Sequence, residues 1–263
     1  MNEKPSIAKR LLHSTLVLDR RNRPIDIEQI SLACPALPQA FDGARIAVVA
    51  DVHLPDQIVS LPDLLRRLQK EKPDAIFLPG DLTNSYTDFD ADGLRKLARA
   101  LTKIAPCFAV PGNHEQRLNR EKTYRKILTK CGVQYMNDSY ADWHKDGATL
   151  RLYGMGEKRP MPLDVAGQPS IVLAHRPEYF EEYCHAGWDV VISGHAHGGH
   201  VRWGQHALFS PDQGFAPHYT HGVYQSGNTR MVVSRGLGNS SIAWRINKPP
   251  HLPILVLSAT SKE

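Results

Sequence analysis

The stretch IAVVADVH, residues 46–53, decides how this chain is read: an apolar, β-type run that ends in an aspartate and a histidine. A short apolar run bounded by turn residues reads as a buried strand, here Ile46 to Val52. Beyond it, Leu61, Leu64, Leu65 and Leu68 recur at helical spacing. They predict a helix over Pro62 to Glu71, with Ser60 placed to cap it. The same rhythm then repeats. Ala75 to Pro79 is an apolar strand running into Gly80-Asp81, and Leu94, Leu97, Ala98 and Leu101 mark a helix. Cys107 to Val110 is a strand ending at Pro111-Gly112-Asn113. Tyr124, Ile127, Leu128 and Cys131 mark a helix that Gly132 can stop. Alternation of this kind implies a parallel sheet with helices on its faces.

Outside this block the chain changes character. Pro24 to Ala33 reads as a strand or an extended lead-in. In the second half strands dominate: Thr149 to Tyr153, Ile171 to Ala174, Val190 to Ser193, Arg230 to Ser234 and Ile254 to Leu257. One helix, Pro177 to His185, interrupts them. A strand-rich continuation implies a second sheet packed beside the first. The expected organisation is a basic N-terminal segment, residues 1–23, followed by one domain over residues 24–263 with a two-sheet α/β core.

Ligands of open α/β sheets bind at the carboxyl ends of the strands, and the chemistry-bearing residues fall there. Asp51 and His53 close the first strand; two residues apart on a strand, they would point to one face and reach one ion together. Asp81 closes the second strand, and Asn113, His114 and Glu115 close the third. His175 follows Ile171 to Ala174, and His195 and His197 follow Val190 to Ser193. A DxH or a GD alone is a weak signal, but five such blocks, each after a β-type run and each beside glycine or proline, are hard to read as coincidence. The donors are carboxylate, carboxamide and imidazole, with no thiolate. That set suits Mn, Fe, Zn, Co or Ni and argues against Ca or Mg alone. There are too many donors for one tetrahedral ion. Two ions about 3.5–4 Å apart, sharing one carboxylate, would use them all.

The order DVH, GD, GNHE, H, GHAH resembles the calcineurin-like metallophosphoesterase superfamily, whose pattern is DxH, GD, GNH[DE], H, GHxH. The flanks SGHAHGGH, VSRGLGNSS and PPHLPILVL resemble its small bacterial phosphodiesterase branch. One departure is His200, where that branch has Gln, which concerns the pocket rim and leaves the metal core intact. The resemblance implies an α/β/β/α sandwich and a dinuclear centre of divalent or trivalent ions, with Mn, Fe or Zn foremost. It implies that Asp51, His53 and His197 hold the first ion, that Asn113, His175 and His195 hold the second, and that Asp81 bridges them. A hydroxide between the ions would then attack phosphorus, giving a phosphodiesterase more readily than a monoesterase. His114 would be the catalytic residue that faces substrate, stabilising the transition state or protonating the leaving oxygen. Glu115 resembles the family's acidic partner of that histidine, the other reading being a capping or surface carboxylate. Arg176 and the rim residue His200 are further candidates for substrate contact. The competing class is a non-catalytic binding or scaffold protein with the same fold, against which the complete ligand set argues.

Composition bounds the rest. No stretch approaches the roughly 18 apolar residues of a membrane span, and the N-terminus lacks the order of a signal peptide, so a cytoplasmic protein is expected. Four scattered cysteines without a CxxC pair fit reduced thiols. Much of the net charge of +5 lies in residues 1–23. With Ile7, Leu11, Leu12 and Leu16 that segment is either a solvated basic tail or a peripheral contact with anionic lipid at the inner membrane face. No basic stripe with interleaved aromatics marks a nucleic-acid module. The expected partner is a phosphate-ester substrate. Trp203 to Arg230, rich in Gly, His and aromatics, reads as a lid over that substrate or as an irregular loop.

Overall fold

The computed structural model describes residues 24–117, 121–157, 169–199, 201–203, 206–210, 213–239 and 249–260. The basic segment 1–23 and His200 lie outside these residues. In chain order the first half holds strands β1 (Asp26–Pro35) and β2 (Arg45–Val48), helix α1 (Leu61–Glu71), β3 (Ala75–Pro79), α2 (Ala91–Thr102), β4 (Cys107–Val110), α3 (Asn113–Arg117), α4 (Glu121–Lys130) and β5 (Gln134–Tyr135). The second half holds β6 (Ser139–Lys145), β7 (Ala148–Gly154), β8 (Ile171–Leu173), a 3-10 turn (Pro177–Tyr179) leading into α5 (Phe180–His185), and β9 (Val190–Ser193). Then come β10 (Val201–Trp203), β11 (His206–Ser210), β12 (Gly214–Phe215), β13 (Gly222–Ser226), β14 (Thr229–Val233) and β15 (His251–Thr260).

The strands form two six-stranded sheets, β1-β15-β2-β3-β4-β5 and β13-β14-β9-β8-β7-β6. In the first, β2, β3, β4 and β5 run parallel, as the alternation predicts. In the second, β7, β8, β9 and β14 are parallel and the two edge strands antiparallel. Period-2 side-chain alternation sorts these apolar strands into layers. Ile46, Val48, Phe77, Phe108 and Val110 of the first sheet meet Leu150, Leu152, Ile171, Leu173, Ile192 and Val232 of the second in one apolar layer. Their neighbours Ala47, Ile76, Leu78 and Ala109 face outward under Leu64 and Leu68 of α1, Leu94, Leu97 and Leu101 of α2, and Ile127 and Leu128 of α4. Val172, Val191, Met231 and Val233 face outward under Phe180 and Tyr183 of α5. The result is the expected α/β/β/α sandwich. Between the sheets Trp143 is 2 % exposed and edges against Phe41 at 4.9 Å and Phe77 at 6.1 Å. Truncating so buried an aromatic costs about 3–5 kcal/mol.

The local rules behind α1 and α2 are visible. The Ser60 hydroxyl accepts from the Asp63 N–H at 3.3 Å, and Lys72 closes α1 in the left-handed region with φ 49°. The Asp90 carboxylate caps α2 through the Gly93 N–H at 2.8 Å.

Three of the expected elements differ from the reading, and strands β5 and β6 are not among those expected. The first strand stops at Val48, four residues before the predicted end, because the backbone leaves strand geometry to form the site described below. The expected strand Ile254 to Leu257 is the ten-residue β15, parallel to β1 and antiparallel to β2. The segment from Trp203 to Arg230 contains β11 to β13: β10-β11-β12 is a small antiparallel sheet, and β13 completes the second large sheet. Among the described residues no helix is long and apolar enough to cross a membrane.

Candidate metal centre

Five loops at the carboxyl ends of β2, β3, β4, β8 and β9 bring Asp51, His53, Asp81, Asn113, His114, His175, His195 and His197 together, all buried. Three donor groups form among them, each with ligand atoms within 4.8 Å of one another: Asp51-His53-His197, His53-Asp81-His114 and Asp81-His175-His195. The Asn113 Oδ1 lies 3.1 Å from His175 Nε2, beside the third group.

Convergence does not come from strand alternation. Asp51, His53, Asp81, His195 and His197 all have positive φ, between 50° and 68°. For residues other than glycine this left-handed region costs on the order of 1 kcal/mol or more each. The loops are held there by hydrogen bonds between them. The Asp51 N–H donates to Gly80 O at 3.2 Å and the His53 N–H to Asp81 O at 3.1 Å. The His195 N–H donates to Asp51 Oδ1 at 3.0 Å, and the His114 N–H to Asp81 Oδ1 at 2.9 Å. Two glycines permit the approach. A Cβ on Gly112 would lie 2.2 Å from Asp81 Oδ1, and one on Gly236, at φ +71°, would lie 2.6 Å from the Asp51 Cβ.

Glu115 takes the capping role at the start of α3, accepting the Gly112 N–H, and is neither at the surface nor a partner of the His114 ring. It is 1 % exposed, and its oxygens accept from the N–H groups of Asp81, Thr83 and Gly112 and from the Thr83 hydroxyl, at 2.7–2.9 Å. It ties the GD loop to the GNHE loop. Burial raises its carboxyl to about 7 while those donors pull the other way. Ser85 takes the expected place beside His114: its N–H donates to His114 Nδ1 at 2.9 Å. An Nδ1 that accepts leaves the neutral ring its proton on Nε2, the atom 3.9 Å from Asp81 Oδ2. Burial lowers the His114 pKa, in keeping with a neutral ring. Arg176, read as a phosphate contact, pairs with Glu157 and with Glu178 Oε1 at 2.8 Å, and its Nη1 lies 3.4 Å from His195 Nε2. The sequence reading missed Ser85, Thr83 and Gly236; the only trace was their place inside the GDLTNS and VSRGLGNSS segments.

The donor set fits metal. Asp51 is fully buried and its Oδ2 has no hydrogen-bond partner, which is costly unless a cation takes it. Neighbouring donors stand 3.0–3.2 Å apart: His53 Nε2 to His197 Nε2, His175 Nε2 to Asn113 Oδ1, and His195 Nδ1 to His175 Nε2. Ligands bound at about 2.1 Å to one ion lie roughly this far apart. The His175 Nδ1–H donates to the Pro79 carbonyl at 2.7 Å, which aims Nε2 at the site.

Without metal, the electrostatics of the site favour a proton on His175. Burial opposes charge on His175, but the Asp81 Oδ2 at 3.1 Å raises its pKa well above the usual range. Burial likewise opposes the Asp81 carboxylate, and the imidazoles of His175, His114 and His53 nonetheless hold its pKa far below normal. Burial pushes Asp51 up to about 6, against the pull of His175. The stabilisation from charged His175 is present in full below its ordinary pKa of 6.5 and is lost as pH rises through the raised folded value. A metal that takes Nε2 must expel that proton. Metal titration at neutral pH is expected to release about one proton, seen as calorimetric heats that change with the ionisation enthalpy of the buffer. Heats independent of buffer would contradict a protonated His175.

Comparison with known proteins gives the class. Residues 44–199, more than half of the 263-residue chain, match the calcineurin-like phosphoesterase family. The chain belongs to that family, whose members are metal-dependent hydrolases of phosphate esters. It is similar to YkuE, an uncharacterised metallophosphoesterase of Bacillus subtilis (strain 168), at 24 % identity over 254 residues, covering 90 % of this chain and 87 % of that one. It is also similar to the phosphodiesterase YaeI of Escherichia coli (strain K12), at 27 % identity over 228 residues, covering 81 % and 82 %. Among solved structures, the phosphopantetheinyl hydrolase PptH of Mycobacterium tuberculosis aligns with a TM-score of 0.49 at 13 % identity, over 81 % of this chain and 96 % of that one.

Proposed function

We propose that this chain is a phosphodiesterase with a dinuclear centre. Asp51, His53 and His197 would hold one ion and Asn113, His175 and His195 the other, with Asp81 between them. The observation that carries this reading is the position of Asp81. It belongs to two of the three donor groups, and its Oδ2 lies 3.1 Å from His175 Nε2 and 3.9 Å from His53 Nε2. The similarity to the Escherichia coli phosphodiesterase favours a diester substrate.

Two cations held there would acidify a water near neutral pH and neutralise charge on a phosphoryl group. The chain's own residues do the rest. His175 is oriented by the Pro79 carbonyl, and Asp51 by the His195 N–H. His114, with Nδ1 engaged by Ser85, presents Nε2–H as a hydrogen-bond donor beside Asp81. A donor at that place stabilises charge that grows on the phosphoryl or leaving oxygen. Glu115 keeps the two loops that carry Asp81 and His114 in register.

The test is a panel with metal content measured on the same sample: bis(p-nitrophenyl) phosphate against p-nitrophenyl phosphate, each with Mn, Fe or Zn. The diester is expected to have the higher kcat/KM, by roughly tenfold or more. A preference for the monoester would overturn the diesterase assignment. No turnover of either ester with both ions bound would overturn catalysis and leave a binding protein.

A further inference from the structure

If His114 meets the leaving oxygen, as the proposed function allows, the leaving group departs on its side of the centre, and an aromatic platform stands there. Tyr86 is 59 % exposed, although it lies three residues after the fully buried Thr83. Its ring meets the His114 ring edge-on, with centroids 5.2 Å apart and planes at 86°. Three contacts fix it there. The Tyr86 N–H donates to Asn84 Oδ1 at 3.0 Å, the preceding residue donates to His114 Nδ1, and the Arg117 guanidinium donates to the Tyr86 hydroxyl at 3.1 Å. Asn84 is in turn anchored through its side-chain amide to Asp56 Oδ2 at 2.7 Å. A large ring left in water is costly to order, and one tethered at both backbone and hydroxyl is preorganised as a surface to pack against. Arg117 is also exposed, and its guanidinium makes no other hydrogen bond among the described residues.

We propose that Tyr86, braced by Arg117 and abutting His114, is the leaving-group subsite and selects phosphate esters that carry a planar ring on the leaving oxygen. The inference rests on the phosphoesterase reading of the same centre and adds the class of leaving group. A ring one bond beyond the ester oxygen would lie alongside His114 and meet the face or edge of Tyr86. Aromatic and base stacking of this kind discriminates by about five- to tenfold per ring. An alkyl group of similar reach gains less from the contact.

The experiment separates the subsite from the chemistry by using non-hydrolysable probes. Benzylphosphonate places a ring where an aryl ester would, and ethylphosphonate does not. Both are titrated into metal-loaded wild type, Tyr86→Ala, Tyr86→Phe and Arg117→Met, alongside turnover of methyl p-nitrophenyl phosphate. Tyr86→Ala is expected to weaken benzylphosphonate about five- to tenfold and ethylphosphonate less than twofold. Tyr86→Phe is expected to keep the benzyl preference, since the ring remains, and Arg117→Met to lose part of it. In turnover, the loss in Tyr86→Ala is expected in KM more than in kcat. Equal weakening of both phosphonates, or no change in either, would overturn the subsite. Absence of turnover in wild type with both phosphonates still discriminated would overturn the hydrolase reading and leave the ring-binding surface standing.

Discussion

Asp81→Ala is expected to abolish turnover, by more than about 10³-fold, and to lower metal content at both positions together. Among the described residues no other carboxylate belongs to two of the donor groups. One oxygen of Asp81 accepts the His114 N–H, and the other faces His175, His53 and His114 at 3.1, 3.9 and 3.9 Å. Losing it removes the shared donor and also the charge that offsets a buried imidazolium on His175. Asp81→Asn keeps the shape and the His114 contact while removing the charge, so it separates packing from ligation. Metal analysis and circular dichroism on the same samples provide the check. A folded Asp81→Ala protein with near-normal activity or two retained ions would remove the shared carboxylate from the account.

His114→Ala is expected to keep its metals and to lose about 10²–10⁴-fold in kcat. The ring is the buried imidazole whose second nitrogen is committed to a backbone N–H of the neighbouring loop. That arrangement fixes a donor on the remaining nitrogen and suits a group that touches substrate. The donor group His53-Asp81-His114 admits the other outcome. Loss of metal in parallel with loss of rate would make His114 a ligand instead.

Much of this site is legible in the sequence because its chemistry allows few substitutes. Carboxylates, a carboxamide and imidazoles at successive strand ends are the donors a dinuclear centre requires, and buried parallel strands announce themselves as apolar runs. Local rules also sufficed for Ser60 at the start of α1 and for Gly132 after α4, where φ is +87°. What was not legible depends on residues distant in sequence. No local signal says that Asp51 and His53 take positive φ; they do so because Gly80 and Asp81 carbonyls, some thirty residues on, accept their N–H groups. Glu115 reads as a partner of His114 or as a capping or surface carboxylate until Asp81, Thr83 and Gly112 are seen to surround it. The edge strand β6 escaped notice because Trp143 is its one fully buried side chain. Ser85 contributes a backbone donor, which any residue but proline would supply, beside a hydroxyl 3.1 Å from the same nitrogen.

The placement of β15 has a consequence for how the protein is made. It lies between β1 and β2 and forms a ten-residue parallel ladder with β1, from Asp26 opposite His251 to Pro35 opposite Thr260. During synthesis β1 therefore emerges long before its neighbour exists, and the flank of β2 stays bare until residues 251–260 have left the ribosome. Closing so long a loop is slow, and an unpaired strand edge invites association in the meantime. The nascent chain thus stays open to misassembly and chaperone capture along this edge until β15 docks.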